Sequence, residues 1–146
     1  PHHTDKNLQH VMEFIAPIIA IRELSSGESV GYSRTWYTPA NQSKTFIATV
    51  AIGYADGYPR HARSGTPVLY QGNEVCPLVG RVSMDMITID VTHLFASGKN
   101  VQIGDEITLW GEKLPVNEIA KYSNTIGYEL LTKVTDRPKR EYISSI

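Results

Sequence analysis

Tyrosine and arginine side chains beside glycines are the groups in this sequence best suited to proton transfer or anion binding. A phenol can donate a hydrogen bond or act as a base, and a guanidinium attracts carboxylates. Each stretch taken alone is also typical of a turn with half-buried packing, so only their combination is informative. The stretches are GESVGYSRT with Tyr32, IGYADGYPR with Tyr54, Tyr58 and Arg60, VGRVSMDM with Arg81 and Asp85 on either side of Met84, and NTIGYELLTKV with Tyr128.

Motifs of other common active sites are absent from the sequence. The five histidines are scattered and none belongs to an HExxH frame, so no metal site is predicted. The sequence has no GxSxG elbow, no Walker A loop and no GxGxxG turn. Its one cysteine, Cys76, lies in EVCPL, which predicts a buried core position. By these criteria the chain holds no self-contained active site.

Composition places the chain among ordinary globular proteins. Its 146 residues are 41% hydrophobic and 20% charged, which is typical of one domain with a real core. A formal net charge of -1 provides no general attraction for nucleic acid or an anionic membrane. A single cysteine fits a reducing compartment, and no apolar run is long enough to span a membrane, so we expect a cytoplasmic location. The start without Met suggests a fragment or a processed chain.

Turn residues divide the sequence into short extended runs, which predicts a mainly β fold. The Gln71-Gly72-Asn73 loop predicts a hairpin of residues 67–70 and 74–78, and a further hairpin of NVQI and EITLW is expected around Gly104 and Asp105. In residues 86–91 the alternation of Ile87, Ile89 and Val91 with Thr88 and Asp90 predicts a strand with one apolar face. The other predicted strands cover residues 17–24, 29–37, 45–54 and 137–143.

Helical spacing appears only late in the sequence. Val116, Ile119 and Ala120 lie at i, i+3 and i+4, which predicts a helix over residues 116–123. A second helix is expected over residues 125–133, capped by Thr125. We therefore expect an antiparallel, Greek-key-like β-barrel with one or two short helices near the C-terminus. Residues 1–15 are expected to form a disordered or linker-like extension, and residues 16–146 the β domain.

Five motifs, in this order, resemble the C-terminal domain of alanine racemase, the pyridoxal-phosphate enzyme that interconverts L- and D-alanine. The motifs run from about residue 16 to the end of the chain. They are GESVGY, AIGYADGYPR, VGRVSMDM, IGDEITLWG, and YELLT followed by RPKREY. Ser33 and Arg34 depart from the small residues that often follow the family's tyrosine, but they leave the alignment of Tyr32 intact.

The resemblance implies a two-base reaction, in which a lysine acts on one face of the substrate and a tyrosine of this domain acts on the other. Tyr32 matches that catalytic tyrosine, which in the family serves the partner subunit of a head-to-tail homodimer. Met84 matches the position whose backbone N–H binds the substrate carboxylate, and Tyr128 matches a tyrosine that hydrogen-bonds the cofactor phosphate and narrows the entrance. A free phenol has a pKa near 10, so Tyr32 needs neighbours that favour the phenolate. By strand period Arg34 lies on the same face, although a local twist would separate the two side chains.

The resemblance also implies a corridor through which the substrate reaches the site. Two arginines in it would draw a small carboxylate inward. The alternative is structural: both arginines pair with carboxylates such as Asp56 or Asp85 and hold the turns. Asp85 itself is as well explained by orienting the Met84 turn. The residues that match the corridor walls are Tyr54, Arg60, Arg81 and Ile126.

The family's cofactor lysine lies in an N-terminal (β/α)₈ barrel of roughly 230 residues, and this chain contains none of it. The resemblance therefore implies that pyridoxal 5'-phosphate is bound mainly by that barrel and that the isolated chain is inactive. The complete enzyme would act on alanine and supply D-alanine for cell-wall peptidoglycan.

Two other functions remain open at this point. The chain could be an assembly module that only forms the dimer interface, or part of a related racemase acting on serine or lysine. A decarboxylase of the same cofactor fold type typically carries Cys-Asp-Gly in this domain, whereas here Cys76 is followed by Pro77 and Leu78. That difference argues against a decarboxylase.

Overall fold

A six-stranded antiparallel sheet forms the body of the protein in a computed structural model that describes residues 12–30 and 36–142. The strands of the sheet lie in the order β6-β5-β8-β1-β4-β7, and β2 and β3 form a separate pair. The strands are β1 (Phe14–Ser25), β2 (Ser29–Val30), β3 (Trp36–Tyr37), β4 (Lys44–Val50), β5 (Pro67–Tyr70), β6 (Glu74–Pro77), β7 (Ile87–Asp90) and β8 (Glu106–Trp110). The helices are a 3₁₀ turn (Tyr54–Asp56), α1 (Thr92–Ala96), α2 (Val116–Tyr122) and α3 (Gly127–Thr132).

The two edges of the sheet meet, so that the sheet is nearly closed into a barrel. Just beyond the end of β6, Leu78 bridges Ile89 of β7. The Val79 N–H donates to the Thr88 carbonyl at 2.9 Å, and the Thr88 hydroxyl donates to the Val79 carbonyl at 2.6 Å. The prediction of a mainly β, antiparallel barrel with a few short helices is confirmed.

Strand β1 joins the two halves of the barrel. Its first part pairs with β8 and its second part with β4, and the register shifts between Ile18 and Ala20. Before that irregularity the residues alternate, with Phe14, Ala16 and Ile18 buried and the intervening side chains exposed. This period of two is what a strand with one face on the core requires.

Large apolar side chains fill the interior of the barrel. In one part of it the aromatic rings of Phe14, Tyr58 and Trp110 pack together. Trp110 lies 4.8 Å from Phe14 and 6.3 Å from Tyr58 between ring centroids. Tyr58 and Trp110 are both 1% exposed. Burying a side chain of this size contributes about 1.5–3 kcal/mol or more to the free energy of folding. Tyr58 thereby anchors the turn that precedes it to the barrel.

Several predicted elements are confirmed. Strands β5 and β6 form the expected hairpin, and its loop places Gln71 and Gly72 at φ of 51° and 69°, as a type I′ turn requires. In β7 the residues Ile87 and Ile89 are buried as their alternation predicts. Cys76 is buried and free, and burial raises the pKa of its thiol to about 12, with Asp90 and Glu74 contributing further. The thiol therefore stays protonated and packs as an apolar group.

Two of the predicted strands are wrong. The run 29–37 is not one strand, because Ser29 pairs with Tyr37 and Val30 with Trp36 in a local antiparallel pair. NVQI forms no strand with β8, because the Gly104 N–H donates to the Ile18 carbonyl of β1 at 2.8 Å instead.

The remaining differences concern the end of β4 at Val50, the C-terminal segment and the helices. No strand occurs over residues 137–142, and residue 143 lies outside the described residues, as does most of the predicted extension 1–15. Helix α3 has Ile126 at its N-cap without a side-chain bond, and the Thr125 hydroxyl donates to the Glu129 carboxylate. Helix α1 was not predicted. Its five residues follow Asp90, whose carboxylate accepts hydrogen bonds from the N–H and the hydroxyl of Thr92.

Candidate functional site

The turn after β4 and the turn before β7 lie against each other at one end of the barrel. The Tyr54 N–H donates to the Ser83 carbonyl, and the Ala55 N–H donates to the Met84 carbonyl, both at 3.0 Å. Gly53 makes this approach possible, because a Cβ there would lie 2.5 Å from the Ser83 oxygen and closer still to Met84. The φ of Gly53 is -146°, which any residue adopts, so space alone requires glycine here.

Asp56 holds the first of these turns in shape. Its Oδ2 accepts the Gly53 N–H at 2.9 Å, which closes the 3₁₀ turn on itself. Gly57 follows at φ 105°, a left-handed conformation that favours glycine. A Cβ on Gly57 would also overlap the backbone of Val134, so the C-terminal segment packs directly on this turn.

The Met84 turn presents a backbone donor to the outside. The Ser83 N–H donates to the Met86 carbonyl at 3.0 Å, and the Ser83 hydroxyl accepts the Met86 N–H at 3.1 Å. These bonds orient residues 84 and 85 outward, and the Met84 residue is 54% exposed. Among the residues that the structure describes, no acceptor meets the Met84 N–H. The turn therefore carries a backbone N–H that is available to an external anion.

Arg137 connects the two turns through their carboxylates. Its Nε lies 3.1 Å from Asp56 Oδ1, and its Nη1 lies 3.0 Å from Asp85 Oδ1. Among the described residues Arg137, rather than Arg60 or Arg81, is the ion-pair partner of these two aspartates. Arg60 instead lies over the Tyr54 ring at 4.8 Å from its centroid, a cation–π contact at an exposed position.

A groove of about 550 Å³ runs between the Tyr54 turn and helix α3, with the loop that joins α2 to α3 along one side. Its walls carry both signs of charge. Lys133 pairs with Glu129 at 2.6 Å, and the Lys133 and Thr125 hydrogen bonds lower the pKa of the Glu129 carboxyl. The groove residues that bear charge or polar groups include Tyr54, Arg60, His61, Thr125, Glu129 and Lys133.

A model of the alanine racemase C-terminal domain matches residues 11–142. The chain belongs to the alanine racemase family. It is 53% identical over 133 residues to an alanine racemase of Coxiella burnetii (strain Dugway 5J108-111), a match that covers 91% of this chain and 34% of the relative.

Solved alanine racemases share the fold. The biosynthetic alanine racemase from Pseudomonas aeruginosa matches with a TM-score of 0.82 and 46% identity, over 90% of this chain and 35% of that one. The alanine racemase from Bartonella henselae with covalently bound pyridoxal phosphate matches with a TM-score of 0.80 and 36% identity, over 90% and 34%. The chain thus spans about a third of the length of the alanine racemases that it matches.

The residues that the alanine racemase resemblance singled out fall into three groups. Tyr54, Arg60 and Met84 come together through the interlocked turns. Ile126 is 47% exposed and directly precedes α3, in which Tyr128 is the second residue, whereas Arg81 is exposed and does not line the groove. Tyr32 lies outside the described residues.

Three residues shape the two turns, and only Asp56 among them was considered from the sequence, as a partner for Arg60 or Arg81. Gly53, Asp56 and Arg137 bind no predicted ligand, but they set the distance between the two turns. Arg137 belongs to the closing RPKREY motif, so its presence in a family pattern was the one available signal.

No three His, Cys, Asp or Glu side chains of residues 12–30 and 36–142 converge as a metal site would require. In the same part of the chain no helix has both the length and the apolar character of a membrane span.

Proposed function

We propose that this chain is the substrate-completing domain of a pyridoxal-phosphate-dependent alanine racemase. In this role Tyr32 supplies one of two bases and the Met84 N–H binds the substrate carboxylate across a head-to-tail homodimer. The observation that carries the proposal is the Met84 N–H, which meets no acceptor among the described residues and belongs to a half-exposed turn that the Ser83 and Tyr54 bonds fix. A backbone donor in a rigid turn suits a carboxylate because it requires no side-chain ordering.

The described lysines are poorly suited to form a covalent bond with the cofactor, whereas the Met84 turn is suited to bind the substrate carboxylate. All six described lysines are exposed, and five of them form ion pairs with glutamates. An exposed ammonium that is paired with a carboxylate is a poor nucleophile. We infer that the N-terminal barrel provides the lysine and most contacts to the cofactor ring, while Tyr128 reaches the phosphate.

The reaction assigned to this chain is proton transfer at the α-carbon. Bound pyridoxal phosphate supplies an electron sink that acidifies the α-proton. The phenolate of Tyr32 takes that proton from L-alanine and becomes a phenol, which returns the proton to the same face in the reverse direction. Meanwhile the Met84 N–H fixes the carboxylate, and Tyr54 and Arg60 border the route to solvent. The product, D-alanine, would serve peptidoglycan synthesis in the cytoplasm.

The full-length protein should convert L-alanine into the racemic mixture with pyridoxal phosphate, and chiral chromatography of the amino acids measures this. Serine and lysine should react much more slowly. The isolated chain, given the same cofactor, should show neither turnover nor an absorbance band of lysine-bound cofactor that survives dialysis.

Three results would contradict this assignment. Faster racemisation of serine than of alanine would indicate the related racemase. A full-length protein that forms dimers without any racemisation would indicate an assembly module. A stoichiometric, dialysis-resistant band on the isolated chain would show that the cofactor lysine is here after all.

Replacing Arg60, which lines the groove, by glutamine in the full-length protein should lower kcat/KM more than kcat. A positive corridor raises the encounter rate with alanine without entering the chemical step. The deficit should shrink as salt rises, because screening acts over about 8 to 10 Å at ordinary ionic strength. Measurement of kcat/KM across a salt series tests this.

Arg63→Gln is the matched control for the Arg60 substitution. Arg63 also lies over a tyrosine, Tyr122, at 5.2 Å, but neither residue lines the groove. Its loss should leave the salt dependence of kcat/KM unchanged. A salt-independent defect in the Arg60 variant, together with a lower melting temperature, would assign this arginine a structural role.

A further inference from the structure

The geometry points to Arg137 as a positioning residue, which holds the carboxylate-binding Met84 turn against the Tyr54 turn and neutralises Asp85 beside it. This inference rests on the proposed function of the Met84 N–H. Arg137 does not contact the substrate in this scheme. It acts through two aspartates that lie in different turns.

A continuous path of contacts links Arg137 to both turns. Asp56 receives the Arg137 Nε on one carboxylate oxygen and the Gly53 N–H on the other, so its carboxylate is bonded on both sides. The Asp56 side chain is only 10% exposed. A carboxylate this sheltered from water needs a partner, and Arg137 is the cation that meets it.

The second aspartate lies next to the proposed substrate site. Asp85 directly follows Met84, and its side chain is 58% exposed. Without a partner it would turn freely in solvent and place a negative charge one residue from the N–H that receives a carboxylate. Two like charges repel at such distances even in a high dielectric. The bond from Arg137 Nη1 holds the Asp85 side chain in place and offsets most of the repulsion between Asp85 and a bound carboxylate.

The backbone segment that carries the Arg137 side chain is itself fixed. The Thr135 hydroxyl donates to the Ala55 carbonyl at 2.8 Å, and the Thr135 N–H donates to the Asp56 carbonyl at 3.2 Å. Val134 packs against Gly57. The guanidinium therefore extends from a segment that is already attached to the Tyr54 turn, and its planar fork can meet two carboxylates at once. An ammonium in its place would satisfy one of them.

The test uses the full-length protein with Arg137→Gln, Arg137→Lys and the control Arg140→Gln. Arg140 lies three residues further on, is exposed, and reaches only the Pro138 carbonyl, at 3.4 Å, among the described residues. We expect Arg137→Gln to raise the KM for alanine about tenfold, with a smaller change in kcat, because carboxylate binding is weakened in ground and transition states alike. Arg137→Lys should fall between wild type and Arg137→Gln, and Arg140→Gln should match wild type.

A second measurement separates positioning from stability. Acetate, used as a simple carboxylate that competes with alanine, should inhibit Arg137→Gln about tenfold less strongly than wild type. Adding Asp85→Asn to Arg137→Gln should recover part of the acetate affinity, because the unpaired charge is removed. A lower melting temperature with unchanged KM and unchanged acetate inhibition would overturn the inference while leaving the racemase function in place. A wild-type protein without racemase activity would overturn both.

Discussion

Replacing Tyr32 by phenylalanine in the full-length protein should lower racemisation about 10²- to 10⁴-fold in both directions. The change removes one hydroxyl, so it should leave packing nearly intact. Racemisation requires both bases in either direction, and the phenol is one of them. Initial rates from each enantiomer, measured by chiral chromatography, give the size of the loss.

Exchange of the α-proton with solvent distinguishes the two bases. In the Tyr32→Phe variant, D-alanine should still exchange its α-proton in heavy water through the lysine, whereas L-alanine should not. Tyr37→Phe is the matched control, because Tyr37 lies five residues after Tyr32 in the sequence, on β3, and is 55% exposed. It should behave as wild type. Equal loss of exchange from both enantiomers, with the cofactor still bound, would assign Tyr32 a role other than base.

Gly53→Ala should strongly destabilise the protein, because the added methyl meets backbone atoms of the Met84 turn. The new Cβ would overlap the Ser83 and Met84 backbone, which cannot move aside as a flexible side chain can. The overlap separates the turns and breaks the bonds from Tyr54 and Ala55. We expect the free energy of unfolding to fall by about 3 kcal/mol or more. Urea unfolding of the wild type and the variant measures the difference.

Gly27→Ala separates the effect of space from that of backbone conformation. Gly27 has φ +83°, and a Cβ added there would meet nothing within 4 Å, so alanine incurs only the cost of the left-handed conformation, about 1–2 kcal/mol. Gly53 is the reverse case, with an ordinary φ and no room. Gly53→Ala should also reduce alanine turnover, which Gly27→Ala should not. Equal and small losses of stability in the two variants would show that the turns are not tightly interlocked.

Local patterns in the sequence predicted the parts of the fold that depend on neighbouring residues. The Gln71-Gly72-Asn73 loop predicted the β5–β6 hairpin because its left-handed turn is set by residues within the loop. The alternation around Ile87 and Ile89 predicted the buried face of β7 for the same reason. Helix α1 was missed because five residues are too few to display a helical period.

Pairing between distant residues could not be read in the same way. The run 29–37 has strand composition throughout, and composition does not reveal that Ser29 pairs with Tyr37. Similarly, the sequence pattern places Arg137 in a returning strand, although its function in the fold is to bind Asp56 and Asp85. Asp85 and Arg137 are 52 residues apart in the sequence, and no local rule selects one arginine among several as the partner.

The site residues show the same division. Family motifs placed Tyr54, Arg60 and Met84 in one region, and the structure brings their turns together. The means by which they are held together involves Gly53 and Asp56, whose importance depends on how closely another backbone approaches. The close approach of two backbone segments is a property of the folded chain, and no local sequence pattern predicts it.

The bond between the Thr135 hydroxyl and the Ala55 carbonyl, which spans 80 residues, also imposes an order on biosynthesis. A ribosome delivers the chain from its N-terminal side, and contacts of long sequence separation form late. Residues 53–57 and 83–86 therefore leave the ribosome well before residues 134–137, and until then Asp56 and Asp85 have no arginine between them. The barrel strands can pair during that interval, whereas the Met84 turn gains its contact with Arg137 only after residues 134–137 have been synthesised. Translation therefore completes the strands before the contacts that join the Tyr54 turn to the Met84 turn.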